Sequence, residues 1–286
     1  MTLAKLRAIL RLMRVEQWYK NTLVVIPALF SLKLADPSTY PRLAVGFASL
    51  SLASSANYVL NDIVDLERDK LHPRKRTRPL PSGQVRVEEA LAYAIALAST
   101  SLLLAVYANP IFALYVLALI ALNQLYSLYL KEIAVIDVVT IAMNYLVRTA
   151  SGSALVEVET SPWLFSGIFF LALFLAVSKR KAEIVIAGHE ARKVLKAYNR
   201  EWLNQALSTT AAMVMATYAV YCAEVPLGRR LIVTVPLVAF FLLRYTLAIE
   251  AGRGEQPHEI VMGDRATLIS ALMLIASIFL LVYAQP

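Results

Sequence analysis

Three aspartates and one asparagine lie at the end of a long apolar stretch, in the segment Asn61-Asp62-Ile-Val-Asp65-Leu-Glu-Arg-Asp69. If the segment is helical, these four side chains share an arc of about 100° on one face. Like charges four residues apart destabilise a helix unless a cation joins them. Oxygen ligands suit Mg²⁺, which usually completes its shell with water and substrate phosphates. The segment therefore predicts a site for Mg²⁺ and a diphosphate, with Asn61, Asp62, Asp65 and Asp69 as ligands.

The alternative is a solvated helix end that carries ordinary surface charges. That alternative predicts acids scattered around the helix and interleaved with lysines, whereas here only Glu67 points away from the shared face. Carboxylates at membrane depth are rare and usually functional. We therefore favour the metal site.

A basic loop with several prolines follows directly, between Lys70 and Gly83. Any one of its cations is explained by anchoring at the cytoplasmic membrane face. Several cations beside an acidic metal site also suit a diphosphate, whose outer oxygens need neutralising. The cations are Lys70, Arg74, Lys75, Arg76 and Arg78.

The composition is that of a membrane protein. Of the 286 residues 59% are hydrophobic, only 17% are charged, and the mean hydropathy is +0.61. The single cysteine, Cys222, excludes an internal disulfide framework. The net charge of +8 comes from cations that flank apolar stretches, so we expect membrane lipids or phosphorylated substrates as partners and no nucleic acid.

The apolar stretches are close to the roughly 20 residues that a helix needs to cross a bilayer. We predict an all-α integral membrane bundle of nine transmembrane helices in a single domain, residues 1–286, with residues 1–14 as an interfacial helix. The predicted spans are 15–34, 42–65, 87–107, 110–130, 134–157, 162–183, 205–224, 230–249 and 266–284.

Most of the 28 Lys and Arg residues fall on one side of this topology, together with the N-terminus. Cytoplasmic loops are enriched in these residues, so we expect that side to be cytoplasmic and the protein to lie in the cell membrane. Long polar connections on the same side, at 66–86, 184–204 and 250–265, place the expected active site there.

The Asn61–Asp69 segment resembles the N-D-x-x-D-x-x-x-D signature of the UbiA-type intramembrane prenyltransferases. The resemblance implies a bundle of nine helices around a central cavity, a Mg²⁺ cofactor, and catalysis that depends on Asp62, Asp65 and Asp69. In that superfamily a second acidic motif, D-x-x-x-D, follows the sixth span. Here the corresponding segment reads Ser-Lys179-Arg180-Lys181-Ala-Glu183, with one carboxylate and three cations.

That departure resembles one branch, the decaprenyl-phosphate phosphoribosyltransferases. Further segments similar to that branch are Arg14 to Asn21, His72 to Pro79, Tyr126 to Lys131, Leu146 to Gly152, Arg244-Tyr245 and Gly263-Asp264-Arg265. The branch implies phosphoribosyl diphosphate as donor and an isoprenoid lipid phosphate as acceptor. Their combined phosphate charge agrees with the extra cations.

Several side chains are therefore candidates for substrate binding. Those predicted to contact phosphates are Lys20, Arg74, Lys131, Lys179 and Arg180. Glu183 is either a further metal ligand or a partner of Lys179. Arg148, inside the fifth span, contacts substrate or pairs with an acid such as Asp137 or Glu183. Tyr126 either binds a phosphate or belongs to the interfacial aromatic belt.

The first alternative function is prenyl transfer from a prenyl diphosphate to an aromatic acceptor such as 4-hydroxybenzoate, or to a lipid acceptor. It uses the same aspartates but needs no ribosyl donor. A transporter would carry polar residues at mid-span and broken helices in matched halves, whereas here the polar residues gather at one face. A purely structural membrane protein would not need the aspartates at all.

Overall fold

The computed structural model describes residues 3–71, 75–188, 193–254 and 256–284. Within these ranges the chain is helical and contains no strand, which confirms the all-α prediction. The α-helices are α1 Leu3–Met13, α2 Ile26–Phe30, α3 Thr39–Val64, α4 Leu66–Leu71, α5 Val87–Ala108, α6 Pro110–Leu128, α7 Ile136–Val156, α8 Pro162–Ala187, α9 Arg200–Glu224, α10 Val235–Glu250, α11 Pro257–Gly263 and α12 Arg265–Tyr283.

Short 3₁₀ helices connect several of these elements. They are Val15–Val25, Lys33–Ala35, Lys75–Thr77, Leu130–Glu132, Lys193–Ala197 and Gly228–Thr234. Helix starts are marked by capping side chains, because the first backbone N–H groups of a helix have no partner within it. Asn109 accepts hydrogen bonds from the backbone of Ile111 and Phe112, and Ser161 accepts one from Trp163.

Within the described ranges, seven helical segments are long and apolar enough to cross a membrane. They are Thr39–Val64, Val87–Ala108, Pro110–Leu128, Pro162–Ile186, Arg200–Glu224, Gly228–Glu250 and Arg265–Tyr283. The predicted first span, 15–34, is a 3₁₀ helix followed by the five-residue α2, rather than one continuous α-helix. The predicted fifth span corresponds to α7, and the number of nine spans stays a prediction.

The chain forms two compact units. The first comprises Met1–Leu130 and Val147–Glu159, and the second comprises Lys131–Leu146 and Thr160–Pro286, so that α7 is divided between them. In the first unit α3 packs against α5 and α6, and in the second α8 packs against α9. Helix α3 presents small buried residues, among them Ser49 and Ala53, which allow close helix packing in an apolar medium. The prediction of a single domain stays a prediction.

Gly152 in α7 lies against the backbone of the first 3₁₀ helix. A Cβ atom at Gly152 would lie 2.2 Å from the carbonyl oxygen of Val24, and a backbone oxygen cannot rotate away. We expect Gly152→Ala to lower the free energy of unfolding by about 1–3 kcal/mol. Thermal unfolding in detergent measures the change. The matched control is Gly167→Ala, because the nearest atom there, Oγ1 of Thr217, is 3.5 Å away; equal stability of the two variants would contradict the prediction.

Candidate functional site

The aspartates of the first unit lie where α3 ends and α4 begins. Asp62 occupies the last turn of α3, Asp65 is its C-cap, and Asp69 lies in α4. The backbone bonds from Asp65 N to Asn61 O and from Asp69 N to Asp65 O keep the helical register across the junction. Asp62 and Asp69 are buried, with exposures of 1% and 0%, whereas Asn61 and Asp65 are half-buried.

Two arginines contact the buried aspartates, and one of them, Arg78, joins the pair. Nη1 of Arg78 lies 3.2 Å from Oδ1 of Asp62 and 2.6 Å from Oδ2 of Asp69. Arg14, which follows α1 and has a left-handed backbone with φ of 50°, donates a second hydrogen bond to Asp62. Lys75 Nζ lies 3.4 Å from Oδ1 of Asp69. These cations offset the cost of burying two like charges, which is large when the charges are unpaired.

The residues at this junction fit a divalent cation bound together with substrate phosphates. Oδ1 of Asp69 is buried and accepts no hydrogen bond, and its ion pair with the partly exposed Lys75 is long, at 3.4 Å, so a divalent cation can compete for this oxygen. Mg²⁺ is usually bound by one or two carboxylates, with water and phosphate oxygens filling the other positions. Across the described residues, no group of three or more His, Cys, Asp and Glu side chains is placed to hold a metal by itself. The predicted four-ligand set therefore appears here as a close pair, Asp62 and Asp69, with Asp65 and Asn61 beside it.

A second polar cluster of the first unit surrounds Arg148 in α7. Arg148 is 7% exposed, and its Nε donates to Oδ1 of Asn21 at 2.9 Å. Its Nη2 donates to Oγ of Ser54 at 3.4 Å, and Asn21 in turn donates to Ser51 at 3.2 Å. Asn21 and the serines of α3 thus hold the guanidinium in place between helices.

The cationic segment of the second unit lies within the last turns of α8. Arg180 is 1% exposed; its Nε lies 3.0 Å from Oδ2 of Asp137, and it also donates to Glu183. Asp137 also accepts a hydrogen bond from the hydroxyl of Tyr198, which itself accepts one from the backbone of Val135 at 2.7 Å. Burial raises the pKa of Tyr198, as does its hydrogen bond to Asp137, so the hydroxyl stays protonated and donates.

These contacts show partners of two predicted residues. Glu183, predicted as a metal ligand or as a partner of Lys179, forms an ion pair with Arg180 three residues earlier, and the prediction of a metal ligand stays untested. Asp137, a predicted candidate partner for Arg148, is engaged by Arg180 and Tyr198. Lys181, the third cation of the segment, is buried and pairs with Glu250, and it donates to Asn204 at 2.6 Å.

The remaining predicted residues occupy partly accessible positions. Lys20 lies 5.8 Å from the centre of the Tyr19 ring, and Lys131 is in the 3₁₀ turn at Leu130–Glu132. Lys179 in α8 and Tyr126 in α6 are half-buried. Arg74 lies outside the described residues.

Comparison with known proteins identifies the family. The UbiA prenyltransferase family matches residues 24–262, which is most of the chain and includes the aspartates. The chain belongs to the UbiA prenyltransferase family. It is a transferase of that family and a multi-pass membrane protein, as its aspartate signature and apolar helices predicted.

Two curated relatives match nearly the whole UbiA-family chain. Decaprenyl-phosphate phosphoribosyltransferase of Mycobacterium tuberculosis is 30% identical over 279 residues, which cover 94% of this chain and 92% of the relative. The protein of the same name from Corynebacterium glutamicum is 29% identical over 289 residues, covering 97% and 87%. These matches confirm the predicted likeness to the phosphoribosyltransferase branch.

A solved UbiA structure has the same fold. The UbiA homolog from Archaeoglobus fulgidus bound to GPP and Mg²⁺ superposes with a TM-score of 0.72 at 24% identity. The alignment covers 96% of this chain and 99% of that one. This confirms the all-helical UbiA-like fold that the signature implied, while the number of nine spans stays a prediction.

Residue-by-residue reasoning on the sequence did not select four side chains that the structure places in these clusters. The sequence predicts Arg78 only as one of several cations in the basic loop, and Arg14 only as part of a segment similar to the phosphoribosyltransferase branch, whereas the structure shows both in contact with the aspartates. Asn21 lies in the same segment as Arg14, and Tyr198 carries no signal beyond its residue type, although each contacts a buried charged group.

Proposed function

We propose that this UbiA-family enzyme transfers the phosphoribosyl group from phosphoribosyl diphosphate to a polyprenyl phosphate, with release of diphosphate. The observation that carries the proposal is the near-full-length match to relatives named decaprenyl-phosphate phosphoribosyltransferase. Of the three cations that stand in place of a second acidic motif, Arg180 and Lys181 pair with carboxylates, and the half-buried Lys179 supports the proposal. Phosphoribosyl diphosphate and a polyprenyl phosphate together bring more negative charge than a prenyl diphosphate with 4-hydroxybenzoate, which adds one carboxylate.

In the proposed reaction a phosphate oxygen of the lipid forms a bond to C1 of the ribose. The bond from C1 to the diphosphate oxygen breaks, and the diphosphate leaves with the electron pair. The ribose carbon becomes cation-like at the transition state, so stabilising the departing diphosphate lowers the barrier. Bound Mg²⁺ would supply this stabilisation by neutralising diphosphate oxygens.

The chain's own residues have separate roles in this proposal. Asp62, Asp65 and Asp69, with Asn61, would hold the cation. Arg78 bridges Asp62 and Asp69, Arg14 pairs with Asp62, and both arginines can offer their remaining N–H groups to the diphosphate.

Lysines are the preferred candidates for the other phosphates. Lys20, Lys131 and Lys179 are partly accessible and suit phosphate contacts. Arg180 already pairs with Asp137 and Glu183, so we assign it to supporting Lys179 from within α8, together with Glu183.

The proposed location is the cell membrane, with the N-terminus and the active site on the cytoplasmic side, because the cations concentrate there.

A parallel assay tests the proposed substrates. Purified protein with Mg²⁺ is given polyprenyl phosphate and labelled phosphoribosyl diphosphate, or a prenyl diphosphate with 4-hydroxybenzoate. We expect a phosphoribosyl lipid in the first mixture and no prenylated product in the second. Removal of Mg²⁺ with a chelator is expected to stop the reaction. Product formed only in the second mixture would replace phosphoribosyl transfer with prenyl transfer.

A further inference from the structure

A small pocket of the second unit lies between the end of α10 and the start of α12. Its volume is about 220 Å³, and none of its lining residues belongs to the proposed catalytic set. Two of the segments that resemble the phosphoribosyltransferase branch, Arg244-Tyr245 and Gly263-Asp264-Arg265, contribute to it, yet the proposed reaction gives them no role. The lining residues are Arg244, Leu247, Ala248, Ala251, Arg253 and Asp264.

The pocket has an excess of positive charge. Asp264 is buried and receives two hydrogen bonds from Arg244, from Nε at 2.9 Å and from Nη2 at 2.8 Å. Arg253 donates to the same carboxylate. Hydrogen bonds from Arg244 hold the pKa of Asp264 well below its usual range, so the carboxylate is ionised at neutral pH. One negative charge therefore faces two guanidinium groups.

Asp264 is also engaged by the helix that it caps. It accepts hydrogen bonds from the backbone N–H and the hydroxyl of Thr267, each at 2.9 Å, at the N-terminus of the 19-residue α12. The N-terminus of a helix is itself electropositive. The side chains of Arg244 and Arg253 are 36% and 41% exposed, so both keep N–H groups within reach of an external anion.

An exposed apolar stripe on α10 runs up to the two arginines. Phe240, Leu243 and Leu247 follow one another at helical spacing and are 51%, 60% and 59% exposed. They belong to the apolar segment Gly228–Glu250, which is long enough to cross the bilayer. Exposed side chains on such a segment face lipid tails, and the arginines lie towards the end of that segment.

We propose that Arg244 and Arg253 bind the phosphate of an anionic membrane phospholipid whose acyl chain lies along Phe240, Leu243 and Leu247. Arginine suits this ligand because its planar guanidinium can bind a phosphate through two N–H groups. Basic pockets between transmembrane helices are sites for anionic lipid headgroups. Inorganic phosphate would contact the two arginines but not the apolar stripe, so the stripe favours a phospholipid.

Native mass spectrometry of the full-length protein in detergent tests the site. Phosphatidylglycerol, phosphatidylcholine, polyprenyl phosphate and inorganic phosphate are titrated separately. We expect phosphatidylglycerol to bind more tightly than phosphatidylcholine or inorganic phosphate. We expect Arg253→Gln to weaken binding of phosphatidylglycerol about fivefold, the contribution of one cation near an anionic lipid, and to leave binding of polyprenyl phosphate, the proposed substrate, unchanged. Arg253→Gln leaves the bidentate contact between Arg244 and Asp264 in place, so the variant keeps its helix cap.

The matched control is Arg229→Gln, which removes the same charge from an exposed position in the 3₁₀ helix Gly228–Thr234 that precedes α10. Arg229→Gln is expected to bind phosphatidylglycerol as tightly as the wild type does. Leu247→Gln is expected to weaken the binding of phosphatidylglycerol and to leave the binding of inorganic phosphate unchanged. Equal binding by Arg253→Gln and Arg229→Gln would overturn the site. Displacement of phosphatidylglycerol by inorganic phosphate or polyprenyl phosphate at equal concentration would overturn the choice of phospholipid.

Discussion

Asp69→Asn is expected to lower turnover by about a thousandfold, the upper range for loss of one preorganised electrostatic group. The carboxylate of Asp69 is fully buried, contacts Arg78 at 2.6 Å and keeps one oxygen without a hydrogen bond. Asparagine preserves the shape but removes the charge that would hold a divalent cation. Asp65→Asn is expected to lower turnover to a similar extent, since Asp65 belongs to the same predicted ligand set. Turnover of labelled phosphoribosyl diphosphate measures both effects.

Binding and stability measurements separate loss of the metal from loss of the fold. Calorimetric titration of Mn²⁺ in the presence of diphosphate is expected to show weaker binding by Asp69→Asn, while thermal unfolding in detergent stays within a few degrees of the wild type. The matched control is Glu67→Gln, two residues earlier, whose side chain is 82% exposed and paired only with Lys70 among its described contacts. Full activity in Asp69→Asn would remove this residue from the metal site.

Arg180→Gln is expected to lower the free energy of unfolding by about 3–5 kcal/mol, because it leaves a buried carboxylate without its cation. Arg180 and Asp137 are each 1% exposed, and their charged atoms lie 3.0 Å apart. Removing one partner of a buried ion pair lowers the free energy of unfolding far more than the intact pair raises it, because the other charge stays buried without a partner. Thermal and denaturant unfolding in detergent provide the measurement.

A surface ion pair of the same unit is the control for Arg180. Arg200 pairs with Glu250 at 3.1 Å, and its side chain is 76% exposed, so Arg200→Gln is expected to cost less than about 1 kcal/mol. The double variant Arg180→Gln/Asp137→Asn is expected to recover part of the loss, because it removes both charges. If Arg180→Gln were as stable as the wild type but bound phosphoribosyl diphosphate weakly, Arg180 would be a substrate ligand rather than a support.

The family, the helical class and the position of the aspartates followed from the sequence. Hydropathy and helical spacing are local properties, so runs such as 87–107 predicted α5 and 162–183 predicted most of α8. The first apolar run shows the limit of that reasoning. Residues 15–34 are apolar enough to suggest a span, but the chain there forms a 3₁₀ helix and then α2, with Asn21 buried against Ser51 of α3.

The sequence by itself determined which chemical groups this protein carries and which segments are apolar, because both are properties of residues and their near neighbours. Only the tertiary structure decided which charges meet. Arg78 pairs with Asp69, nine residues earlier in the sequence, and Tyr198 pairs with Asp137, 61 residues earlier. Helical periodicity does not predict contacts at these sequence separations. Burial makes an unpaired charge costly, so each buried acid takes whichever donor the packing brings near it. Arg180, predicted from its charge to contact a phosphate, therefore also lies between two carboxylates, which the sequence did not show.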